Sequence, residues 1–393
     1  MTIGTNAAGL AMARVGLACV GLACSVAIAA AHAPVTRGDV ARMQHSIERL
    51  VVQGHFMGSV LVAEGGKVLL ERGYGSADLE LNVPDSPRTK FRLGSVTKQF
   101  TAAAILLLQQ RGKLEISDHV KDYLIDAPPA WDSITFFDLL THTSGIPSYS
   151  NFPDFDSTKA QPATPQQLVD RFRDKPLDFP PGTAWRYSNS GYALLGYLIE
   201  RISGQSYGQF IQQNIFDPLG MKDSGYGSDV AIIRARARGY TPGADGKPVN
   251  AAYIDMSVPY AAGGLYSTAS DLLRWERALY GGKLLSAASL QQMTTPFMNH
   301  YALGLMVREA PDGEKIFTHG GAIYGFNCEL SYVPAEKLAV IVLANLNGPA
   351  AHLIDQSLLQ IGLHQQLPMP SLRGPPPAGP PGSASEQSVP ISD

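Results

Sequence analysis

Reactive sulfur is scarce. The chain holds 3 cysteines in 393 residues, and two of them, Cys19 and Cys24, lie within the first 33. If that stretch is removed, a single thiol remains and no internal disulfide can staple the fold. Stability must then come from a packed core, which a chain of this length can build. The remaining cysteine, Cys328, sits in the apolar stretch 326–333, where a buried strand cysteine is expected rather than a nucleophile. Charge is sparse as well: 17% of residues are Asp, Glu, Lys or Arg, and the formal net charge is −3. Without a basic excess there is no electrostatic footprint for nucleic acid. The 9 histidines are scattered, with no His-Glu-x-x-His and no paired cysteine spacing, so no metal site is expected. No phosphate-cradling or dinucleotide glycine pattern precedes a helix, so no cofactor is expected either.

A long hydrophobic run is also missing. Residues 15–31 come nearest, but the run is too short and too alanine-rich for a membrane span. It follows Arg14 and ends at Ala31-His32-Ala33, small residues that suit a signal peptidase. Residues 1–33 therefore read as a cleaved leader. The protein is expected to be exported, periplasmic or secreted, with no transmembrane span in the mature chain. Cys19 and Cys24 each follow Leu-Ala, yet glycine stands three positions before each where a large aliphatic is wanted, which argues against a lipoprotein anchor. At the other end, residues 365–393 are rich in Pro, Gly and Ser without an apolar period, and read as disordered.

What remains, residues 34–364, has an α+β pattern. Helical spacing covers 40–52, and two strands follow at 58–63 and 67–74, joined through Gly65-Gly66 as a hairpin. From about 91 to 299 the pattern is mostly helical. Helices are expected at 101–110 (ending at Gly112), 113–124, 135–140, 165–172, 192–202, 207–215 and 269–280, and residues 148–163 form a polar, Pro-rich surface loop. Strand character returns at 302–308, 315–318, 326–333 and 338–344, and a last helix covers 350–363. Hairpin strands at both ends with helices between them suggest one antiparallel sheet built from both termini (about 38–90 and 300–364). The helical segment 91–299 is then an insertion lying against it.

Three short constellations carry chemistry. Ser95 and Lys98 are three residues apart at the start of the helix before Gly112, so they share one face. Free backbone N–H groups at a helix start can hold an oxyanion, and a desolvated lysine near the positive dipole end is expected to have a lowered pKa. That combination gives a nucleophile with its own base. Tyr187-Ser188-Asn189 follows the turn 179–182; its tyrosine can share protons with the lysine and serve a leaving group, and the Asn189 amide can donate and accept. An identical tripeptide, Tyr149-Ser150-Asn151, lies in the 148–163 loop and is set aside for lack of a helix after it. His319-Gly320-Gly321 ends the strand at 315; glycines there admit a substrate backbone, and the Ala322 N–H can be the second oxyanion donor beside that of Ser95.

In this order, Ser95-x-x-Lys98, Tyr187-x-Asn189 and His319-Gly320-Gly321 resemble the three motifs of the serine β-lactamase and penicillin-binding protein superfamily. The tyrosine makes the resemblance one to the class C β-lactamase, DD-peptidase, D-aminopeptidase and esterase branch. Leu139-Leu140-Thr141-His142-Thr143-Ser144-Gly145, Pro181-Gly182 and Ala262-Gly263-Gly264-Leu265-Tyr266-Ser267-Thr268 agree with it, and the match spans roughly residues 40–362. The resemblance implies the β-lactamase/transpeptidase-like fold. It also implies Ser95 as the acylated nucleophile, Lys98 and Tyr187 as the proton shuttle, and Asn189 as the group orienting the acyl side chain. Ser95 and Ala322 N–H would form the oxyanion hole. One departure bears on substrate: His319 replaces the usual lysine and Gly320 the usual hydroxyl residue. Binding of a substrate carboxylate should weaken by about 2–4 kcal/mol. Small esters, amides or peptides, including peptidoglycan-derived ones, are therefore expected ahead of efficient lactam hydrolysis. A DD-carboxypeptidase, a class C β-lactamase and a penicillin- or peptidoglycan-binding sensor without turnover are the alternatives.

A competing signal is Gly204-Gln205-Ser206-Tyr207-Gly208, which fits the nucleophile elbow of α/β-hydrolases. That elbow needs a strand before it, whereas 192–202 is helical, so Ser206 reads as a helix cap.

Overall fold

A computed structural model describes residues 33–365, together with residues 1, 2 and 4. The proposed leader and its Cys19 and Cys24 fall almost wholly outside the described residues, as does the proline-rich tail. The first helix, α1 (Arg37–Val52), opens with a capping box in which Thr36 and Asp39 satisfy each other's backbone N–H groups. Strands β1 (Gly58–Glu64) and β2 (Lys67–Tyr74) follow as the expected hairpin. Gly65 and Gly66 have φ of 56° and 86°, the twist that a two-residue hairpin turn requires.

Four later strands complete one antiparallel sheet: β3 (Met306–Glu309), β4 (Lys315–Ile323), β5 (Phe326–Val333) and β6 (Leu338–Ala344). Their order is β3-β4-β5-β6-β1-β2. The two chain ends therefore meet where Gly58 faces Ala344 and Val62 faces Val340. Both faces of the sheet are covered. Val60, Val62, Val340 and Val342 pack with Met43 and Ile47 of α1 and with Ile354 and Leu358 of α5 (Ala350–Gly362). Leu61, Ala63, Ile341 and Leu343 belong to the larger core on the opposite face. That double burial accounts for the unbroken apolar run of β6, which an alternating one-sided strand would not show.

The larger core centres on α2 (Thr97–Gln110), whose residues from Thr97 to Leu108 are all buried. A helix apolar on every side must be surrounded. Here α3 (Asn189–Ser203), α4 (Ala269–Tyr280) and the short helices Tyr207–Ile211 and Ala287–Thr294 supply the shell. Phe100 of α2 stacks on Trp275 of α4 at 4.0 Å.

Several expected elements differ. Residues 113–124 hold no α-helix, only a 3₁₀ turn at Val120–Tyr123. The Asp118 carboxylate accepts the Glu115 N–H and the Tyr123 O–H, a local bonding pattern that competes with helix formation. The 207–215 helix changes to a π-turn at Gln212–Phe216. The helical segment contains a three-stranded sheet (Phe91–Arg92, Leu265–Ser267, Gly225–Tyr226) too short to show a period in sequence. Strand β4 does not end at Thr318 but runs through the third motif to Ile323.

Residues 148–163 are not simply a surface loop. Tyr149 is buried, and short helical turns occupy Tyr149–Asn151 and Phe155–Thr158. The discarded second tripeptide is thus followed by helix after all, and hydrogen bonds to α3 and to the Val258 carbonyl hold it inside.

Candidate active site

Ser95 lies in a 3₁₀ turn, Gly94–Val96, that leads into α2 one residue later, at Thr97. The turn sits directly against β4. A Cβ at Gly94, whose φ is 53°, would come within 2.9 Å of the Ala322 N, and one at Gly321 would stand 2.0 Å from the Leu93 carbonyl and 3.3 Å from the Ser95 N. Glycine at both positions lets the two backbones close, so the N–H groups of Ser95 and Ala322 belong to one small region. Strand β3 pairs with β4 only from Lys315 to Thr318, so its ladder stops short of residues 319–323.

Lys98 is wholly buried. Its Nζ lies 3.0 Å from Ser95 Oγ, 2.8 Å from Asn189 Oδ1 and 2.9 Å from the Ala262 carbonyl. The amide oxygen and the carbonyl can only accept. A neutral amine would give its two N–H bonds to them and turn its lone pair toward the serine hydroxyl. The Tyr187 ring lies 4.6 Å from Nζ and the Tyr192 ring 5.5 Å.

Asn189 is held from the other side. It opens α3, capped by Ser188, whose Oγ accepts the Gly191 N–H and donates to the Ile146 carbonyl at 2.7 Å. The Asn189 N–H reaches Ser148 Oγ at 3.0 Å, its Nδ2 reaches Ser150 Oγ at 3.0 Å, and the two serine hydroxyls share a 2.9 Å bond. Ser148 and Ser150 carry no sequence signal beyond the repeated Tyr-Ser-Asn, yet both bond Asn189. The serine of that repeat, not its tyrosine, reaches the site. Tyr149 instead gives its hydroxyl to the Val258 carbonyl at 2.6 Å.

The third motif is uncharged. His319 Nδ1 faces the Gly320 carbonyl at 2.6 Å and Nε2 faces the Tyr301 hydroxyl at 3.0 Å. Nδ1–H therefore donates, Nε2 accepts, and no ring nitrogen is left for a substrate carboxylate. Burial, and secondly the Lys98 charge, push its pKa down to about 3. Gly320 pairs with Glu329, and a Cβ there would meet the Glu329 carboxylate at 3.0 Å. Glu329 also lies 3.3 Å from His352 Nδ1.

The competing serine is elsewhere in role. Ser206 caps the helix Tyr207–Ile211 and accepts the Gln209 N–H at 3.3 Å. Cys328 is buried in β5 with Sγ on the Arg92 carbonyl, and burial raises its pKa. Among the described residues no group of three or more His, Cys, Asp or Glu could hold a metal ion. No helix among them is long and apolar enough to cross a membrane.

A family model described as Beta-lactamase matches residues 43–362. The chain belongs to that family. The Bacillus subtilis protein PbpX is 33% identical over 297 residues, 75% of this chain and 72% of that one. Among solved structures, the octameric penicillin-binding protein homologue from Pyrococcus abyssi superposes with a TM-score of 0.75 at 30% identity, covering 83% of this chain and 78% of its own. A D-stereospecific amidohydrolase from Streptomyces sp. gives 0.68 at 27% identity, with 82% and 98% covered. As in its relatives, a mixed α+β framework of helices around an antiparallel sheet carries the chain.

Proposed function

We propose that this β-lactamase-family chain is an exported serine hydrolase that cleaves small esters or amides through an acyl-enzyme on Ser95. The observation that carries the reading is the Lys98 amine, fixed between two acceptor-only oxygens with Ser95 Oγ 3.0 Å away. In the forward step Ser95 gives its proton to the Lys98 lone pair as its oxygen attacks the substrate carbonyl carbon. The carbonyl oxygen gathers negative charge between the N–H groups of Ser95 and Ala322. Collapse breaks the bond to the leaving group, which takes a proton by way of Tyr187, and water then reverses the sequence to free the acid. Asn189 orients both Lys98 and the acyl side of the substrate.

Substrate class follows from the third motif. With His319 neutral and engaged at both nitrogens, and a Glu329 carboxylate beside Gly320, that side of the site offers no permanent cation to a carboxylate-bearing substrate. Neutral esters and D-amino-acid amides suit it better than lactam antibiotics, and the likeness to a D-stereospecific amidohydrolase supports amides. Fluorophosphonate labelling followed by mass spectrometry tests the nucleophile. Ser95→Ala should abolish labelling and Ser206→Ala should not; the opposite pattern ends the proposal. Parallel assays with a p-nitrophenyl ester, D-alanyl amides and a chromogenic cephalosporin then rank the substrates. The likeness to a penicillin-binding protein homologue keeps a second reading, a sensor that acylates without turnover. A burst with no steady state would favour it.

A further inference from the structure

His142 grips the chain on both sides of Tyr187. Its backbone carbonyl accepts the Arg186 N–H at 3.1 Å, and its Nδ1 accepts the Ser188 N–H, also at 3.1 Å. The imidazole ring lies against the phenol between those two bonds, 4.3 Å from centroid to centroid at 39°. Trp185 meets the same ring edge-on at 6.0 Å, and Tyr301 lies 4.6 Å away. Tyr187 therefore has its backbone held at both flanks and its ring held on one face by a single residue.

The arrangement carries two costs, the second of which an apolar side chain would avoid. His142 has a φ of 63°, a left-handed conformation that few side chains adopt without strain. Accepting at Nδ1 also places the neutral ring's proton on Nε2, which is buried with no hydrogen-bond partner among the described residues. A buried polar group left unsatisfied costs stability, and an apolar side chain of similar bulk would not carry that cost. Burial, and secondly the Lys98 charge, hold the His142 pKa well below its ordinary value, and with Nδ1 accepting the Ser188 N–H the ring stays neutral.

We infer that His142 is a positioning residue for proton delivery to the leaving group: it sets the Tyr187 hydroxyl by pinning Arg186, Ser188 and the phenol ring together. The inference rests on the reading of Tyr187 as the group that serves the leaving group. It makes a demand that a merely structural histidine does not. Loss of the grip should matter in proportion to how much the leaving group needs a proton. A p-nitrophenolate departs without one; an alkoxide or an amine does not.

The experiment compares His142→Ala with His142→Asn in the full chain, using a p-nitrophenyl ester, the alkyl ester of the same acid and its amide. Asparagine tolerates left-handed backbone and puts an amide oxygen where Nδ1 stands. His142→Ala should lower kcat/KM, which reports acylation and leaving-group departure, on the alkyl ester and amide by about 10- to 100-fold while leaving kcat/KM for the p-nitrophenyl ester within about threefold. His142→Asn should recover most of the loss. In a Tyr187→Phe background the alanine change should add little, because both act on one group.

Equal losses on all three substrates, or full additivity with Tyr187→Phe, would overturn the inference. If His142→Ala does not fold, as judged by its melting transition, His142→Gln takes its place, since its amide oxygen is one carbon too far out to meet the Ser188 N–H. The underlying reading fails separately. Alkyl-ester turnover that survives Tyr187→Phe removes Tyr187 from the chemistry. A collapse in that variant alongside an indifferent His142→Ala removes only the positioning role.

Discussion

Tyr149-Ser150-Asn151 and Tyr187-Ser188-Asn189 have the same sequence and opposite situations. Tyr149 is buried against Phe155 and Phe172, with its hydroxyl closed off on the Val258 carbonyl. Burial raises its pKa, so the phenol there is a structural post. Tyr187 is half-buried among His142, Tyr301 and His319, with the Lys98 amine over its ring. Ser188 caps a helix, while Ser150 bonds the amide of Asn189. Asn189 holds Lys98; Asn151 is exposed. The lesson is that a tripeptide has no chemistry of its own. The partners that the fold delivers decide whether a phenol stands beside a lysine amine or fills a core.

The comparison can be broken most directly at the tyrosines. Tyr187→Phe should lower kcat on an alkyl ester by roughly 100-fold or more, the usual range for losing a proton-transfer group. Tyr149→Phe should leave kcat within a few-fold and cost about 1–3 kcal/mol of stability by stranding the Val258 carbonyl. Steady-state kinetics beside denaturant melts read both, and a kinetic defect in Tyr149→Phe larger than that in Tyr187→Phe would reverse the assignment.

The asparagines come next. Asn189→Ala removes one of the two oxygens that orient Lys98 and should cut kcat/KM by about 10- to 100-fold, whereas Asn151→Ala should change nothing measurable. The serines should show the smallest difference in rate. Ser188→Ala is expected to cost about 1 kcal/mol as a lost cap, and Ser150→Ala should reduce turnover a few-fold by loosening Asn189.

A pH measurement sharpens the contrast between the two surroundings, since the Tyr187 side contains a buried neutral histidine. The His319 pKa is about 3 in the folded protein against 6.5 for the free side chain. Folding therefore favours the neutral ring. Its contribution is fully present above pH 6.5 and is lost as pH falls from 6.5 toward 3, because the unfolded chain takes up the proton first. His319→Gln should make this acid limb of the stability curve shallower, the remainder coming from the similarly buried His142. An unchanged limb would show that the ring is not buried in its neutral form.

Much of the framework was readable from residue order. The limits of β5 and β6, the Gly65-Gly66 hairpin and the limits of α4 all follow from local pattern. The Ser95–Lys98 pair could be read from its spacing, because three residues bring two side chains to one side of a helical turn whatever surrounds them. The role of Ser148 and Ser150 could not be read, since it depends on a loop folding back over the start of α3. The extent of β4 was hidden for a related reason. His319-Gly320-Gly321 has poor strand propensity, and only pairing with Leu330, Glu329 and Cys328 keeps it extended. His142 lay in full view within a helix-ending phrase, but nothing local says that its carbonyl and its ring nitrogen will close on residues more than 40 positions later.

Sequence alone determined the order of the main-sheet strands and the long helices, the α+β class and the three motifs, because these depend on periods and spacings only a few residues long. Tertiary structure decided which of two identical tripeptides meets the Lys98 amine, that the third motif is uncharged, and that one histidine holds Tyr187 from both sides. Those outcomes depend on desolvation and on hydrogen bonds between segments far apart in the chain, and both arise only once the sheet and its helices have packed.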